Sequence, residues 1–327
     1  MTQVAPNRIG VKAAAGTLPT ADRWAKALPG APGQPADRPL IWVNGQMLPK
    51  HEASVSVFDH GLLYGDGVFE GIRVYKGRIF KCGQHMDRLW RCASQIRLEI
   101  PVSRQEMIDI QRTCIEANGL SEGYIRLLVT RGVGSLGLNP FRCPVAGVIC
   151  IADQISLYPP EMYEKGMKVI TAKRPRIPVE CLDPRIKSLN YLNNILAKVE
   201  SIDQGLLECV MLSLDGWVAE GSGDNIFMVK GGKLYTPPVD VGLLEGITRR
   251  FVMEVLSRDC GITCEEKRFR IDELKKADEV FMTGSAAEII AITQIDDAVI
   301  SLGEGPVTKK LRARFRQIVT SDNVPED

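Results

Sequence analysis

Lys187 is the residue whose position in this sequence most suggests covalent chemistry. Apolar Ile186 and Leu189 flank it, and a segment with strong helical periodicity follows directly, so its amine is expected to be poorly solvated. A lysine amine taken out of water loses its proton more readily, and a neutral amine can form a Schiff base with a carbonyl compound. A solvated lysine at a helix start is the ordinary alternative. Tyr191 follows one helical turn later and should project toward the same side.

A carboxylate and two turns of small residues offer groups that would complement a charged ring and a phosphate. Glu220 ends a predicted strand and opens the glycine-rich turn 221–225. It is either a simple turn acid or the partner of a pyridinium nitrogen, which lets a pyridoxal ring act as an electron sink. Gly246 precedes a helix predicted at 248–260, whose free N–H groups suit a phosphate, although an ordinary capped helix shows the same pattern. Segment 283–288 is a second turn with free N–H groups and hydroxyls.

The segment 132–137, GVGSLG, matches the G-x-G-x-x-G pattern of dinucleotide-binding proteins and follows a predicted strand. That site also requires a helix whose N-terminus receives the pyrophosphate. Pro140 and Pro144 come next instead, and the following predicted element is a strand. We therefore interpret the segment as a glycine-rich loop over an active site or at a subunit contact. A nicotinamide-dependent oxidoreductase remains the alternative from another class.

Hydrophobic periodicity and turn residues predict the elements that position these groups. Strands are expected at 40–43, 46–48, 68–75, 78–81, 124–130, 145–152, 167–172, 208–213, 217–220, 226–229, 233–236, 279–283 and 289–293, and helices at 84–98, 104–117, 189–204 and 248–260. Ser188 is the expected N-cap of the third helix, and an apolar stripe runs along that helix from Leu192 to Ile202. Because strands and helices mix without strict alternation, the predicted fold class is α+β.

The chain divides into four predicted segments. They are an N-terminal arm at 1–38, expected to be mobile, an N-terminal α+β domain at 39–153, an interdomain loop at 154–165, and a C-terminal domain at 166–320. Tyr158-Pro159-Pro160 is a stiff turn suited to joining two domains. The arm carries a mild basic excess, as transit peptides do, but no serine precedes Ser54, so a surface arm is the favoured interpretation.

Composition argues against several classes of protein. The 41 basic residues balance 40 acidic ones, so the basic excess of a nucleic-acid binder is absent. The longest apolar stretch, 145–152, is far shorter than the roughly 20 residues of a membrane span. Nine scattered cysteines without a C-x-x-C pair, together with only three histidines, argue against a disulfide framework or a metal site. We expect a cytoplasmic protein with neither a nucleic-acid nor a membrane partner.

Six segments carry a family resemblance when they are taken in order. They are YGDGVFEGIR at 64–73, HMDRL at 85–89, YIR at 124–126, IKSLNY at 186–191, EGSGDN at 220–225 and GITR at 246–249. The sequence resembles the fold-type-IV pyridoxal-phosphate enzymes, and most closely the branched-chain amino acid aminotransferases, from about residue 40 to about 317. The resemblance implies a smaller N-terminal α+β domain, a larger C-terminal pseudo-barrel domain, and pyridoxal 5′-phosphate as cofactor.

The resemblance also implies a role for individual residues. Lys187 matches the lysine that holds the cofactor and moves the α-proton, Tyr191 the tyrosine on the ring hydroxyl, and Glu220 the carboxylate on the pyridine nitrogen. The residues matching those around the phosphate and the ring face are Arg88, Ile247, Thr248, Ser285 and Leu244. Those matching the substrate pocket are Tyr64, Phe69, Tyr124, Arg126, Ser285 and Ala286, with Arg126 on the distal carboxylate of glutamate. From the sequence alone, Arg88 and Arg126 fit surface arginines equally well, and Phe69 fits plain core.

The activity implied is transamination between leucine, isoleucine or valine and 2-oxoglutarate, in a homodimer or higher homo-oligomer. Tyr64 and the loop 134–138 are expected to lean toward the partner subunit's site. A D-amino acid aminotransferase and an aminodeoxychorismate lyase are the alternatives within the fold. One departure concerns segment 153–158, where Gln154 or Leu157 stands in place of a bulky aromatic of the pocket wall. It leaves the preference among amino donors open.

Overall fold

The computed structural model of the chain describes residues 38–155 and 158–327. The predicted N-terminal arm lies outside these ranges apart from Arg38, and so does Leu157 of the expected pocket wall. Across the described ranges, no helix is both long enough and apolar enough to cross a membrane.

Six antiparallel strands form the first sheet. They are β1 (Leu40–Val43), β2 (Gln46–Pro49), β3 (Gly67–Tyr75), β4 (Arg78–Ile79), β5 (Gly123–Thr130) and β6 (Gly147–Asp153), in the spatial order β2-β1-β6-β5-β3-β4. Two-residue turns join β1 to β2 and β3 to β4, as the sequence predicted. Asn44, Gly45, Lys76 and Gly77 all have positive φ, as type I′ hairpin turns require.

Helices cover one face of this sheet. They are α2 (Cys82–Gln95) and α3 (Arg104–Ala117), preceded in the chain by the short α1 (His60–Tyr64). Ser103 and Glu106 form a reciprocal capping box that fixes the start of α3, whose bounds agree with the prediction. Helix α2 begins two residues earlier and ends three residues earlier than predicted. The apolar faces of α2 and α3 pack on β3, β5 and β6 and enclose the first hydrophobic core.

The second sheet has nine strands and closes on itself. They are β7 (Met167–Thr171), β8 (Cys209–Leu212), β9 (Val218–Gly221), β10 (Asn225–Lys230), β11 (Lys233–Thr236), β12 (Cys264–Glu266), β13 (Glu279–Gly284), β14 (Glu288–Ile295) and β15 (Ala298–Val299). The order β10-β13-β14-β7-β8-β9 returns to β10 through the pair Asn225–Glu220, which gives the expected pseudo-barrel. Alternate residues such as Met228, Met282 and Ile292 fill its interior.

The helix predicted at 189–204 is shorter in the structure. Helix α5 spans Leu192–Ile202, and Tyr191 rather than Ser188 occupies its N-cap. The preceding residues are used otherwise, because Ser188 pairs with Val68 and the Leu189 N–H donates to the Gly67 carbonyl at 2.9 Å. The chain around Lys187 therefore runs beside the start of β3, joined to it by an isolated bridge, before the helix begins. The apolar stripe of α5 faces outward, and small or polar residues such as Ala197 form the buried face.

The remaining helices frame the barrel. They are α4 (Pro160–Lys165), α6 (Ile247–Phe251), α7 (Ser257–Asp259), α8 (Ile271–Leu274) and α9 (Pro306–Val319), with a π-helical turn (Val252–Leu256) linking α6 to α7. Sequence analysis predicted α6 and α7 as one helix and missed α9. Helix α9 buries Leu311, Phe315 and Val319, a repeat of four residues.

An aromatic cluster joins the two sheets. Tyr75 and Phe80 of the first sheet region meet Phe251 and Phe315 of the second at ring-centroid distances between 5.3 and 6.3 Å. The contacts are edge-to-face, the arrangement favoured by aromatic quadrupoles. The end of β3 is thereby packed against α9 and the barrel.

Candidate active site

A cavity of about 480 Å³ lies between the first sheet and the barrel. Residues of β3 and β5 line one side of it, and turns at the barrel strand ends line the other. The lining includes Phe69, Gly71, Arg88, Tyr124, Arg126, Lys187, Tyr191, Leu244, Ile247, Thr248, Ser285 and Ala286. Eleven of the thirteen side chains proposed for the site from the sequence therefore meet in one place, with Glu220 directly behind the wall and Tyr64 elsewhere.

Two hydrogen bonds fix the backbone of Lys187, whereas its amine forms no ion pair in the described chain. Its carbonyl accepts from the Phe69 N–H at 3.0 Å, and its own N–H donates to Cys92 Sγ at 3.3 Å. Its Nζ lies 3.1 Å from the Tyr191 hydroxyl and 4.4 Å from the centre of the Phe69 ring. The amine thus has one hydroxyl partner and an aromatic face beside it, and no carboxylate pairs with it in the described chain. This environment suits an amine that must react.

Glu220 is buried and held by three partners. Its Oε1 pairs with the Arg176 guanidinium at 2.8 Å, and its Oε2 accepts from Asn225 Nδ2 at 3.2 Å and from the Leu244 N–H at 3.1 Å. Burial raises the pKa of Glu220, although the Arg176 charge and the Leu244 N–H oppose it. A cationic ring nitrogen near this carboxylate would favour its ionised form. Sequence analysis missed Arg176, which lies on a loop 44 positions earlier in the chain.

A buried network orients Arg88. Its Nε and Nη2 donate to the two carboxylate oxygens of Glu70 at 2.8 and 2.7 Å, and His85 Nδ1 lies 2.7 Å from the same carboxylate. Burial alone would raise the pKa of Glu70, but Arg88 and His85 outweigh it and hold the pKa well below its usual range. The Arg88 Nη1 donates to the Glu245 carbonyl at 2.9 Å, at the turn that leads into α6. This fork places a fixed positive charge at the side of the cavity next to α6.

The turn before α6 leaves room for an anion. Ile247 and Thr248 line the cavity at the helix start, where backbone N–H groups lack partners within the helix. Gly246 cannot be replaced freely, because a Cβ there would come within 2.1 Å of Asn225 Oδ1. A phosphate near Arg88 and these N–H groups, a ring nitrogen near Glu220 and a ring hydroxyl near Tyr191 match the groups of pyridoxal phosphate one by one. The residues present therefore fit that cofactor.

Arg126 supplies a second positive charge at the other end of the cavity. Its guanidinium lies 4.8 Å from the centre of the Phe69 ring and 5.5 Å from that of Tyr124. No carboxylate in the described chain pairs with it. Gly71 makes room for Tyr124, since a Cβ at Gly71 would come within 1.8 Å of the tyrosine oxygen. Arg126 is thus an unpaired guanidinium beside an aromatic wall.

An acidic cluster that sequence analysis missed lines the cavity beside the 283–286 turn. The Tyr158 hydroxyl donates to Asp224 Oδ2 at 3.3 Å, and Glu208 accepts from the Ser222 hydroxyl at 2.8 Å and from Lys198 Nζ at 3.0 Å. Burial and the neighbouring Glu208 carboxylate raise the pKa of Asp224 to about 7. Tyr158 is an aromatic residue of segment 153–158 that lines the cavity. Gln154, one of the two residues expected in place of a pocket-wall aromatic, is exposed and does not line it.

Tyr64 and the glycine-rich loop do not line the cavity of their own chain. The Tyr64 hydroxyl accepts from the Gly137 N–H at 3.0 Å, and His60 Nε2 lies 2.9 Å from the Ser135 carbonyl oxygen. After the loop come a short 3-10 turn at Pro140–Arg142 and then β6, so the G-x-G-x-x-G pattern opens no helix. The geometry required for a dinucleotide is absent from this segment.

Comparison with known proteins places the chain among enzymes with this architecture. A putative branched-chain-amino-acid aminotransferase of Methanocaldococcus jannaschii is 47% identical over 86% of this chain and 96% of its own. The structure of the Escherichia coli branched-chain amino acid aminotransferase superimposes with a TM-score of 0.84 at 34% identity, covering 88% of this chain and 96% of that one. That of the branched-chain aminotransferase of Thermoproteus uzoniensis with norvaline gives 0.81 at 35%, covering 87% and 96%.

Relatives with another activity are also similar. A D-alanine aminotransferase of Staphylococcus haemolyticus is 33% identical over 86% of this chain and 98% of its own. The family model described as amino-transferase class IV matches residues 67–295, which include Lys187, Glu220 and both ends of the cavity. The chain belongs to the class IV aminotransferases, whose cofactor is pyridoxal 5′-phosphate.

Proposed function

We propose that this chain transfers the amino group between the branched-chain L-amino acids leucine, isoleucine and valine and the pair 2-oxoglutarate and L-glutamate. The observation that carries the proposal is the unpaired Arg126 guanidinium beside Phe69 and Tyr124. The names of the most similar relatives point the same way. One pocket must accept an apolar side chain and a carboxylate in turn, and this arrangement offers an aromatic wall with a cation at its edge.

When bound, pyridoxal phosphate supplies the carbonyl that takes up the amino group and the ring that delocalises the electrons released at the α-carbon. We assign to Lys187 Nζ the removal of the proton from the α-carbon of the substrate and its delivery afterwards. The Tyr191 hydroxyl, 3.1 Å from that nitrogen, keeps the amine pointing into the cavity. Phe69 excludes water from its other side.

Glu220 and Arg88 bind opposite charges of the cofactor in this proposal. Glu220 holds a proton on the ring nitrogen, and Arg176 keeps the carboxylate oriented and charged for that purpose. Arg88, held by Glu70, binds the phosphate together with the Ile247 and Thr248 N–H groups. Leu244 packs on the ring face. These residues bind and orient the cofactor, while Lys187 moves the proton.

The substrate carboxylates occupy two places. The α-carboxylate is common to every substrate, and we assign it to Tyr124 and the N–H groups of the 285–286 turn. The side chain lies toward Phe69, Tyr158 and Leu128, where leucine meets apolar and aromatic surface. The distal carboxylate of glutamate pairs with Arg126, because burying an unpaired charge there would be costly.

A panel of amino donors tests the proposal. With 2-oxoglutarate as acceptor, we expect kcat/KM for L-leucine, L-isoleucine and L-valine to exceed that for D-alanine at least about tenfold, or roughly 1.4 kcal/mol. Faster reaction of D-alanine would replace the proposal by a D-amino acid aminotransferase. Release of 4-aminobenzoate from aminodeoxychorismate, with no transamination, would replace it by the lyase.

We also propose a homodimer in a reducing, cytoplasmic compartment. Two apolar faces are exposed on the subunit: one around Val57, Leu136 and Phe141, the other along the outward stripe of α5. Apolar faces of this kind are typical of subunit contacts. All nine cysteines are free thiols, which agrees with reducing surroundings. Tyr64 and the 134–138 loop lie on the first of these faces, from which they would reach the partner's site.

A further inference from the structure

Glu288 has a backbone conformation that its residue type disfavours. It follows the three-residue turn Ser285-Ala286-Ala287 between β13 and β14, and it pairs with Gly284 across the hairpin. Its φ is +59°, in the left-handed region. Glycine or asparagine normally supplies this conformation at hairpin turns. The conformation costs free energy for a glutamate, and contacts of its side chain can offset that cost.

The Glu288 carboxylate is held from two directions. Its Oε1 accepts from the Tyr75 hydroxyl at 2.8 Å and from Arg73 Nη2 at 3.3 Å, both on β3 of the first sheet. Arg316 of α9 donates to both of its oxygens, at 3.1 and 3.2 Å. The side chain is only 8% exposed, so these charge-assisted bonds are shielded from water. Arg73 also stacks on the Tyr75 ring at 5.1 Å, which fixes both donors.

The anchoring strand is the one that carries the opposite wall of the cavity. Phe69 and Gly71 of β3 line the cavity, and Glu70 of the same strand holds Arg88. Two and four residues beyond Gly71, the strand presents Arg73 and Tyr75 to Glu288. The carboxylate of Glu288 therefore links the 285–287 turn of the barrel directly to the strand across the cavity from it.

We propose that Glu288 is a positioning residue that clamps the Ser285-Ala286-Ala287 turn to β3 and so sets the distance between the N–H donors of the turn and the facing wall. The step that involves the substrate α-carboxylate rests on the function proposed above. Loss of the clamp lets the turn relax, and every substrate loses affinity, because all of them share the α-carboxylate. The Lys187 amine and the Glu220 carboxylate remain in place.

Glu288→Gly is the most informative variant, because glycine adopts the same φ without strain and only the clamp is lost. Asp296→Gly is its matched control. Asp296 lies at the other end of β14 with φ +51°, and its carboxylate is likewise held, by Lys275 at 2.8 Å and by Thr171. It does not line the cavity. Tyr75→Phe removes a single donor, and Glu288→Gln keeps an acceptor for Tyr75 without the charge.

Two measurements on the holoenzyme follow. We expect KM for leucine and for 2-oxoglutarate to rise together about tenfold or more in Glu288→Gly, with less change in kcat, an intermediate rise in Glu288→Gln, and no rise in Asp296→Gly. NMR order parameters of the 285–287 backbone N–H groups should fall from about 0.85 to below about 0.6 in Glu288→Gly only. The second measurement involves no substrate, so it stands even if the proposed substrates are wrong.

Two outcomes would overturn the proposal. Unchanged order parameters at the 285–287 amides in a folded Glu288→Gly protein would show that the turn holds its shape without the clamp. Equal KM changes in Asp296→Gly would show that the effect reports on general weakening of β14. If Glu288→Gly does not fold, Tyr75→Phe replaces it. A smaller fall in the order parameters of the same amides is then expected, and unchanged order parameters would count against the clamp.

Discussion

Burial acts to raise the pKa of two carboxyls near the cofactor site, but their net pKa shifts are opposite because their partners differ. Glu70 keeps its charge because Arg88 and His85 lie against both of its oxygens, and its pKa is held low. Glu220 has one guanidinium and two amide donors, and burial raises its pKa. Glu70 is thus a fixed anion that orients an arginine. The negative charge of Glu220 is less fully compensated by its partners, so a further cation beside it would be stabilising. The difference agrees with a proposed ring nitrogen beside Glu220 and a proposed phosphate beside Arg88.

Arg126 gives a prediction about specificity at the residue scale. Arg126→Met should weaken glutamate and 2-oxoglutarate far more than leucine and its 2-oxo acid, since only the former carry a distal carboxylate. The loss of a charge-assisted contact is worth roughly 1.5–3 kcal/mol, or about one to two decades in kcat/KM. The measurement is kcat/KM for both substrate pairs in both directions.

Arg97→Met is the control for this variant. Arg97 also stacks on an aromatic ring, that of Phe141 at 4.7 Å, but it does not line the cavity. It should leave the ratio of the two specificity constants unchanged. Equal losses for leucine and glutamate in Arg126→Met would instead assign Arg126 to the α-carboxylate or to bracing the pocket.

The sequence pointed to some residues of this cavity and not to others. Lys187, Tyr191 and Glu220 stand in contiguous motifs, so their types and spacing could be read directly. Arg176, Asp224 and Glu288 acquire their surroundings from distant partners; Tyr75, for example, lies 213 positions from Glu288. No local pattern marks such a contact, because it depends on how the two sheets meet. The positive φ of Glu288 is likewise a product of the hairpin geometry rather than of its own preference.

Among the secondary-structure elements, α5 begins three residues later than its apolar periodicity predicts. The apolar repeat continues back to Leu189, so a helix from that point was a reasonable prediction. Backbone bonds to β3 compete with helix formation there, and they fix the segment that carries Lys187. Helix α9 shows the converse. Pro306 at its first turn and the repeat Leu311, Phe315, Val319 indicate a helix, although none was predicted there.

The start of β10 gives a prediction about pH. Burial and Glu208 raise the pKa of Asp224 from 3.8 to about 7 in the folded chain. Between these pH values the folded chain retains a proton that the unfolded chain has released, so the free energy of unfolding should fall as pH rises through this interval. Asp224→Asn removes this contribution. The free energy of unfolding of Asp224→Asn relative to the parent should increase by at most roughly 4 kcal/mol between pH 4 and about 7, and then level off.

Urea unfolding at several pH values measures this effect. Asp278→Asn is the control, because Asp278 is exposed and its pKa is lowered by the Gly231 N–H and Lys230, so it should show no gain at high pH. A constant difference between Asp224→Asn and the parent from pH 4 to 8 would show that Asp224 is already ionised at low pH in the folded chain.

At the scale of the whole molecule, the outward stripe of α5 predicts self-association. Leu192, Ile195, Val199 and Ile202 are between 42% and 65% exposed on one helix face, too much apolar surface for a helix that stays in water. We expect a dimer in sedimentation at assay concentration, and Val199→Glu should shift it toward monomer. Leu302→Glu is the control, since Leu302 is fully exposed and lies between β15 and α9 rather than on α5. A fully active monomer of the parent chain would contradict the shared-site arrangement.

Lys187 is the one lysine of this chain proposed to bind the cofactor covalently and to move the proton. Borohydride reduction of the holoenzyme, followed by proteolysis and peptide mapping, tests it most directly, because every lysine of the chain competes for the label. We expect a pyridoxyl adduct on Lys187 alone, and none at any position in a folded Lys187→Ala variant, which should also lack transaminase activity. An adduct on another lysine of the active protein, or transamination by Lys187→Ala, would contradict it.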